Sequence, residues 1–192
     1  MRDQTTSADV LLFWFGDESE RRKPQKRWFE KDSTFDREVR ERFLPFYEHA
    51  ASGRMSHLKG NPLDCLALII VLDQFPRNMF RGTPRAFATD GLALDAARHA
   101  VARGFDRQMH AVERMFAYLP FEHSESLADQ ERACELTQAL DGFEETKDAH
   151  RYAILHRDII RRFGRFPHRN AILGRSSTPE EIEFLKGPGS SF

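Results

Sequence analysis

Three short polar segments, each containing a proline, carry the residues best suited to chemistry in this sequence. They span residues 73–78, 118–125 and 164–170, and the first and last share a Phe-Pro step followed by arginine and asparagine. Because proline lacks a backbone donor and clashes with the preceding turn, it is expected to end each helix and turn the chain inward. We therefore predict that the three segments surround one polar pocket.

Asp73 follows a run of large apolar residues. A carboxylate at such a position is costly to bury unless a cation and hydrogen bonds replace its lost hydration. Arg77 and Arg85 are both candidate partners. One interpretation is a structural ion pair that closes a helix end. The other makes the pair half of an anion-binding site.

The segment 122–125 places a histidine among carboxylates, directly after a proline. In the structural interpretation it forms the first turn of a helix, where acidic residues and serine are favoured. In the catalytic interpretation His123 is a general base assisted by Glu122 or Asp73, because an imidazole titrates near neutral pH. Ser124 lacks the Gly-x-Ser-x-Gly context of an esterase nucleophile.

Basic residues concentrate toward the end of the chain, where Arg165 and Arg169 flank the second Phe-Pro step. Planar guanidinium groups at such a corner suit carboxylate or phosphate recognition. His156 lies on the apolar face of its predicted helix, which leaves both a neutral core histidine and a pocket wall open. The other candidate ligand-binding residues are polar side chains of the same junctions: Asn78, Glu125, His168 and Asn170.

Metal and RNA sites have weaker support. The sequence lacks a His-Glu-x-x-His motif and a duplicated Glu-x-x-His pair, so neither metal ligands nor a cofactor are expected. Arginines between residues 157 and 175 alternate with aromatic residues and could stack on single-stranded RNA. RNA binding is the weaker hypothesis, because the chain has only one such stripe and its net charge is -1, whereas RNA-binding domains are typically basic.

The candidate residues must be positioned by helices, because apolar residues recur at helical spacing along most of the sequence. No run of alternating apolar and polar residues predicts a strand. A central, buried helix is predicted from Asn61-Pro62 to about Gln74, and an alanine-rich helix from Thr83-Pro84 to Gly104. Other predicted helix starts are Ser7, Ser33 or Thr34, and Thr178-Pro179. Further helices are predicted over residues 107–118, 121–141 and 144–163. An exposed loop is predicted over 17–27 and a flexible tail over 187–192.

Length and composition indicate one all-α domain over residues 1–192, and its 17 phenylalanines predict a dry core of packed helices. Cys65 and Cys134 lack Cys-x-x-Cys spacing, which favours a reducing compartment. Residues 1–8 are too polar for a signal peptide, and the apolar runs are too short for a membrane span. A cytoplasmic protein without a membrane partner is therefore expected.

Several longer phrases resemble the bacterial domain-of-unknown-function 924 family. They are Val10-Leu11-Leu12-Phe13-Trp14-Phe15-Gly16, Arg27-Trp28-Phe29 with Phe35-Asp36, and residues 72–82, 86–90, 118–125 and 162–175. The resemblance implies an antiparallel, tetratricopeptide-like superhelix, although the sequence itself shows no 34-residue tetratricopeptide pattern. The resemblance also implies that the polar residues of the three junctions are the positions that characterise the family. It implies no activity.

Three hypotheses follow from these observations. The first is a helical binding protein whose pocket takes a small anion or an acidic peptide terminus. The second is an enzyme that uses the same pocket with His123 as acid–base catalyst, and the third is RNA binding through the basic stripe. Oligomeric state has no signature in the sequence.

Overall fold

The computed structural model describes residues 5–190, and within that range the chain is helical, without strands. The α-helices in chain order are α1 Ser7–Phe15, α2 Ser33–Ala51, α3 Pro62–Met79, α4 Asp90–Ala102, α5 Ala111–Glu122, α6 Leu127–Gln138, α7 Ala149–Phe163 and α8 Pro179–Phe184. Short 3-10 helices span Lys26–Trp28, Ser56–Gly60, Pro84–Phe87, Asp106–Gln108, Glu144–Thr146 and Pro167–Arg169. The predicted all-α class is confirmed, while the superhelical arrangement stays a prediction.

Helix α3 is the central element, as its apolar sequence predicts. Its residues from Cys65 to Pro76 are all buried, and it packs against α1, α2, α4 and α5. Asn61 begins it, since its side-chain oxygen accepts a hydrogen bond from the Asp64 amide at 3.0 Å. An aromatic cluster that includes Trp14, Phe75 and Phe116 fills the space between α1, α3 and α5. The core therefore surrounds the helix that carries Asp73.

The expectation that prolines end the helices is wrong for two of the three segments. Pro76 lies inside α3, which continues to Met79, and Pro120 lies inside α5, which continues to Glu122. Pro76 cannot donate to the Leu72 carbonyl, but the Thr89 hydroxyl does so at 2.6 Å. The helix continues because a side chain from another element replaces the lost backbone donor.

Several predicted helix boundaries also differ from the structure. Asp32, and not Ser33 or Thr34, caps α2, because its carboxylate accepts hydrogen bonds from the amides of residues 34 and 35 at 2.8 and 3.2 Å. Thr6 takes the place predicted for Ser7, in a reciprocal capping box with Asp9. The predicted helix from Thr83 is divided into a 3-10 turn and α4. Thr178 caps α8 as predicted.

Segments 17–27 and 187–190 consist largely of turns and short 3-10 structure. Residues 191–192 of the predicted tail lie outside the described residues, as do the first four residues of the segment 1–8. Among residues 5–190, none of the helices has both the length and the apolar character needed to cross a membrane.

Candidate functional site

Asp73 and His123 meet in the interior, although α3 and the end of α5 present them from distant parts of the sequence. Asp73 is completely buried, and its Oδ1 lies 2.7 Å from His123 Nδ1. Gln74 Nε2 donates to the other carboxylate oxygen, and Arg77 Nη1 lies 3.4 Å from Oδ1. The carboxylate thus has the cation and the donors that its burial requires.

The protonation of this pair follows from its surroundings. Burial opposes ionisation of Asp73, but the charge of Arg77, the contact with His123 and the hydrogen bond from Gln74 outweigh it and lower the pKa of Asp73 to about 2. Burial, with Arg77 second, lowers the pKa of His123 against the opposing effect of Asp73. At neutral pH the imidazole is therefore uncharged. Because an ionised carboxylate only accepts hydrogen bonds, the proton of that imidazole is on Nδ1.

Asp90, the first residue of α4, joins the two basic side chains of the site. Arg77 donates to both its carboxylate oxygens, at 3.0 and 3.1 Å. Arg169, in the 3-10 turn after α7, donates from Nη1 to Asp90 Oδ2 at 3.4 Å and to the His123 carbonyl at 3.0 Å. These bonds connect α3, α4, α5 and the segment after α7.

Arg169 is held between two aromatic rings. Its guanidinium carbon lies 4.8 Å from the ring centre of Phe87 and 4.4 Å from that of Phe166. Burial, with Arg77 second, lowers the pKa of Arg169 to about 10, so it remains a cation at neutral pH. Its Nε is buried without a hydrogen-bond partner among the described residues.

A cleft of about 360 Å³ opens beside these residues. Its polar lining comes from Asp90, His123, Ser124, Glu125 and Arg169, and its apolar lining includes Pro84, Phe87, Leu94, Pro120 and Leu173. Within the described part of the chain, His123 Nε2 has no hydrogen-bond partner. The same is true of Arg169 Nη2. The cleft therefore adjoins one uncharged proton acceptor and one cationic donor.

A second buried pair lies behind His123. Glu122 Oε2 is 3.6 Å from His156 Nδ1, which is 2.8 Å from the Tyr152 carbonyl. Burial, with the nearby Asp73 charge, raises the pKa of Glu122 to about 8. Burial lowers the pKa of His156 to about 3. Both groups are uncharged at neutral pH, and Glu122 belongs to the end of α5 and not to a first helical turn.

His168 lies in the same 3-10 turn as Arg169. Its ring centre is 5.5 Å from that of Phe166, whose ring also contacts His156. Burial lowers the pKa of His168 to about 4, so this histidine too is uncharged at neutral pH. The second Phe-Pro segment therefore brings His168 and Arg169 to the region of His156 and His123.

The other predicted site residues bind carboxylates elsewhere. Asn78 donates to Asp36 at 2.7 Å, and the exposed Arg85 pairs with Glu48 on α2. Neither Asn78 nor Arg85 lines the cleft.

Arg165 and Asn170 are bound near α8. Arg165 donates to both oxygens of Glu181, at 2.7 and 2.8 Å, and Asn170 Nδ2 lies 3.3 Å from Glu181 Oε2. Glu125 does line the cleft, and Arg175 binds it through two hydrogen bonds at 2.6 and 2.9 Å. The second Phe-Pro segment therefore contributes Arg169 to the cleft, whereas its Arg165 and Asn170 contact α8.

Asp90 and Phe87 are the site residues that chemical reasoning from the sequence did not identify. Asp90 resembles an ordinary acidic residue in the first turn of a helix, where such residues are favoured in any case. The one sequence feature that points to Phe87 and Asp90 is the segment 86–90, which carries part of the family resemblance.

The remaining hypotheses concern metals and RNA. Among residues 5–190, no three histidine, cysteine or acidic residues are grouped so that they could hold a metal ion. The arginines of the basic stripe pair with carboxylates, in the pairs Arg157–Asp158, Arg161–Asp158, Arg162–Glu180, Arg165–Glu181 and Arg175–Glu125. Much of the charge of that stripe is therefore locally neutralised.

Comparisons with known proteins agree with the family resemblance. The model of DUF924, described as a bacterial protein of unknown function, matches residues 10–189. A solved structure of a protein of unknown function from Agrobacterium tumefaciens is 44% identical, with a TM-score of 0.85. That similarity covers 94% of this chain and 97% of the other. No curated protein matches the chain significantly.

Proposed function

This chain belongs to the DUF924 family of bacterial proteins, and we propose that its cleft binds a small anionic molecule on which His123 acts as general base. The observation that carries the proposal is the Asp73–His123 pair. A buried carboxylate binds Nδ1 at 2.7 Å, while Nε2 of the same ring has no partner among the described residues, and His123 lines the cleft. A histidine oriented in this way is suited to accept a proton.

The charges around the pair support this role. The lowered pKa of His123 keeps its imidazole uncharged at neutral pH, so Nε2 has a lone pair available. When Nε2 accepts a proton from the bound molecule, a new N–H bond forms and the ring becomes a cation. The bond from that molecule to the hydrogen breaks, and its electron pair stays on the molecule. The Asp73 carboxylate stabilises that cation through the Nδ1 hydrogen bond, without accepting the proton itself.

Arg169 is the residue that we propose binds the anionic group. It lines the cleft, carries a charge at neutral pH, and is only partly neutralised, because its contact with Asp90 is 3.4 Å long. Arg77 is less suited, since Asp90 binds it through two hydrogen bonds. Glu122 is not part of the proposed reaction, because its carboxyl group lies beside His156.

The test is a thermal-shift screen of small carboxylates and phosphate esters, followed by NMR detection of product for every compound that binds. The wild type is expected to bind and convert at least one compound. His123→Gln should retain binding and lose conversion, and Arg169→Met should lose binding. Arg85→Met is the matched control, because it removes an exposed arginine paired with a different carboxylate.

Three outcomes would decide against this proposal. Binding that persists in Arg169→Met would remove the anion site, and conversion that persists in His123→Gln would remove the general base. If short peptides with a free carboxyl terminus bind at Arg169 without being converted, the protein is a binding module and not an enzyme. RNA binding has no comparable support, since the basic stripe is paired with carboxylates.

A further inference from the structure

A second concave surface lies away from the cleft, between α1 and the start of α3. We propose that two copies of this chain associate through it as a symmetric dimer, in which the groove of each copy receives the basic segment 22–26 of its partner. This inference does not depend on the reaction proposed for His123. It rests on an apolar groove, an acidic rim and an adjacent basic segment.

The groove has an apolar floor that the described chain leaves uncovered. It encloses about 360 Å³, and its lining includes Leu11, Leu12 and Leu63. Leu12 is 59% exposed and Leu63 is 44% exposed. Helix α1 is apolar on almost every side, which is typical of a helix that is buried all round. Among the described residues, the side of α1 that carries Leu12 is left exposed.

The rim of the groove is acidic. Asp17, Glu18 and Asp64 line it, and Glu18 is exposed with no cation at ion-pairing distance among the described residues. Arg21 also lines the groove, but it pairs with the buried Glu113. The groove therefore favours a partner that combines positive charge with apolar surface.

Such a segment follows the groove directly in the sequence. Arg22 and Lys26 are exposed, and within residues 5–190 neither lies at ion-pairing distance from a carboxylate. The segment is attached to α1, because Gln25 donates to the Phe15 carbonyl and Arg27 donates to the Phe13 carbonyl at 2.8 Å. It is thereby held beside the groove without lining it.

This adjacency is the reason for choosing a second copy as the partner. In a dimer whose twofold axis passes between the groove and the basic segment, the acidic groove of each copy faces the basic segment of the other. The two groove–segment contacts therefore form at the same time. Phe29, which is 67% exposed and follows the basic segment, adds apolar surface on the same part of the chain. An unrelated basic peptide would use only the groove.

Sedimentation velocity of the full chain tests the proposal. The wild type is expected to be dimeric at low salt, and raising the salt from about 50 mM to about 500 mM should weaken association about tenfold or more. Leu12→Glu should be monomeric. Leu155→Glu is the matched control, because Leu155 is an exposed leucine on α7 that does not line the groove. A wild type that stays monomeric at low salt overturns the proposal, as does a Leu155→Glu variant that dissociates as readily as Leu12→Glu.

A charge-exchange experiment separates pairing from a general loss of stability. Glu18→Lys and Arg22→Glu should each weaken the dimer about tenfold or more, since each places like charges opposite one another. An equimolar mixture of the two variants should associate as the wild type does, because every groove then meets a segment of opposite charge. Circular dichroism confirms that both variants are folded. Failure of the mixture to associate would contradict the proposed pairing.

Discussion

His123 Nδ1 lies 2.7 Å from Asp73 Oδ1, although the two residues are 50 positions apart. This contact joins the central helix to the end of α5, and it leaves the second nitrogen of the ring unbonded among the described residues in a histidine that lines the cleft. The same bond therefore contributes to stability and to the proposed chemistry. The two contributions can be separated, because stability depends on the contact of Asp73 with the Arg77 cation, whereas the proposed chemistry depends on Nε2.

Asp73→Asn is expected to lower the free energy of unfolding by about 3–5 kcal/mol, since it removes one partner of a buried ion pair and leaves Arg77 less compensated. Urea unfolding followed by circular dichroism measures this change. Glu48→Gln is the control, because its pair with Arg85 is half exposed and should be worth less than about 1 kcal/mol. Equal losses in the two variants would mean that the carboxylate of Asp73 has no special role.

The same substitution should lower the pKa of His123 further. In the wild type, the Asp73 charge and hydrogen bond raise this pKa against the larger effect of burial. Removing the charge leaves burial and Arg77 acting in the same direction. An NMR titration of the His123 ring in both proteins measures the difference, and a pKa that rises in Asp73→Asn would contradict the assigned balance of charges.

Glu122 should make the protein less stable as the pH rises. The folded state holds this carboxyl protonated up to a pKa of about 8, above the ordinary glutamate pKa of 4.5, so the folded chain binds the extra proton between these values. The stabilisation is complete at acidic pH and is lost as the pH rises through about 8. Glu122→Gln should remove this slope, and in mildly alkaline buffer its free energy of unfolding, measured in urea, should therefore be higher than that of the wild type.

His156 and His168 should act in the opposite direction, at acidic pH. Burial lowers their pKa values to about 3 and about 4, below the ordinary histidine pKa of 6.5, so the unfolded chain binds more protons. Their contribution is complete above about 6.5 and is lost as the pH falls toward 4. His156→Gln should flatten this acid dependence of the unfolding free energy, whereas replacement of the exposed His57 should leave it unchanged.

The Thr89 hydroxyl should contribute to the free energy of unfolding because Pro76 is present. Its hydroxyl donates to the Leu72 carbonyl, which Pro76 leaves without a backbone donor. Thr89→Val should lower the unfolding free energy by about 1–3 kcal/mol, since a buried acceptor loses its partner. In a Pro76→Ala background, where the amide is restored, the same change should cost less. Equal costs in the two backgrounds would show that the hydroxyl and the proline are not coupled.

The local pattern of residues predicted much of the fold. The class, the central buried helix and the caps at Asn61 and Thr178 depend on periodicity and on side chains within a few positions. The same is true of Asp73, which follows a long apolar run, of His123, which lies among carboxylates, and of Arg169, which follows a Phe-Pro step. The burial of Asp73 is indicated by the sequence because this residue directly follows a long apolar run.

Other features depended on contacts between distant elements. Pro76 does not end α3, because Thr89 supplies the missing donor from outside the helix. Asp90 connects Arg77 to Arg169, whereas Arg85 and Arg165 bind other carboxylates. Each arginine in the sequence has several acidic residues that it could reach, and spacing along the chain does not rank them. Only the packing of α3, α4, α5 and the segment after α7 selects the pairs, because ion pairing depends on distances in space.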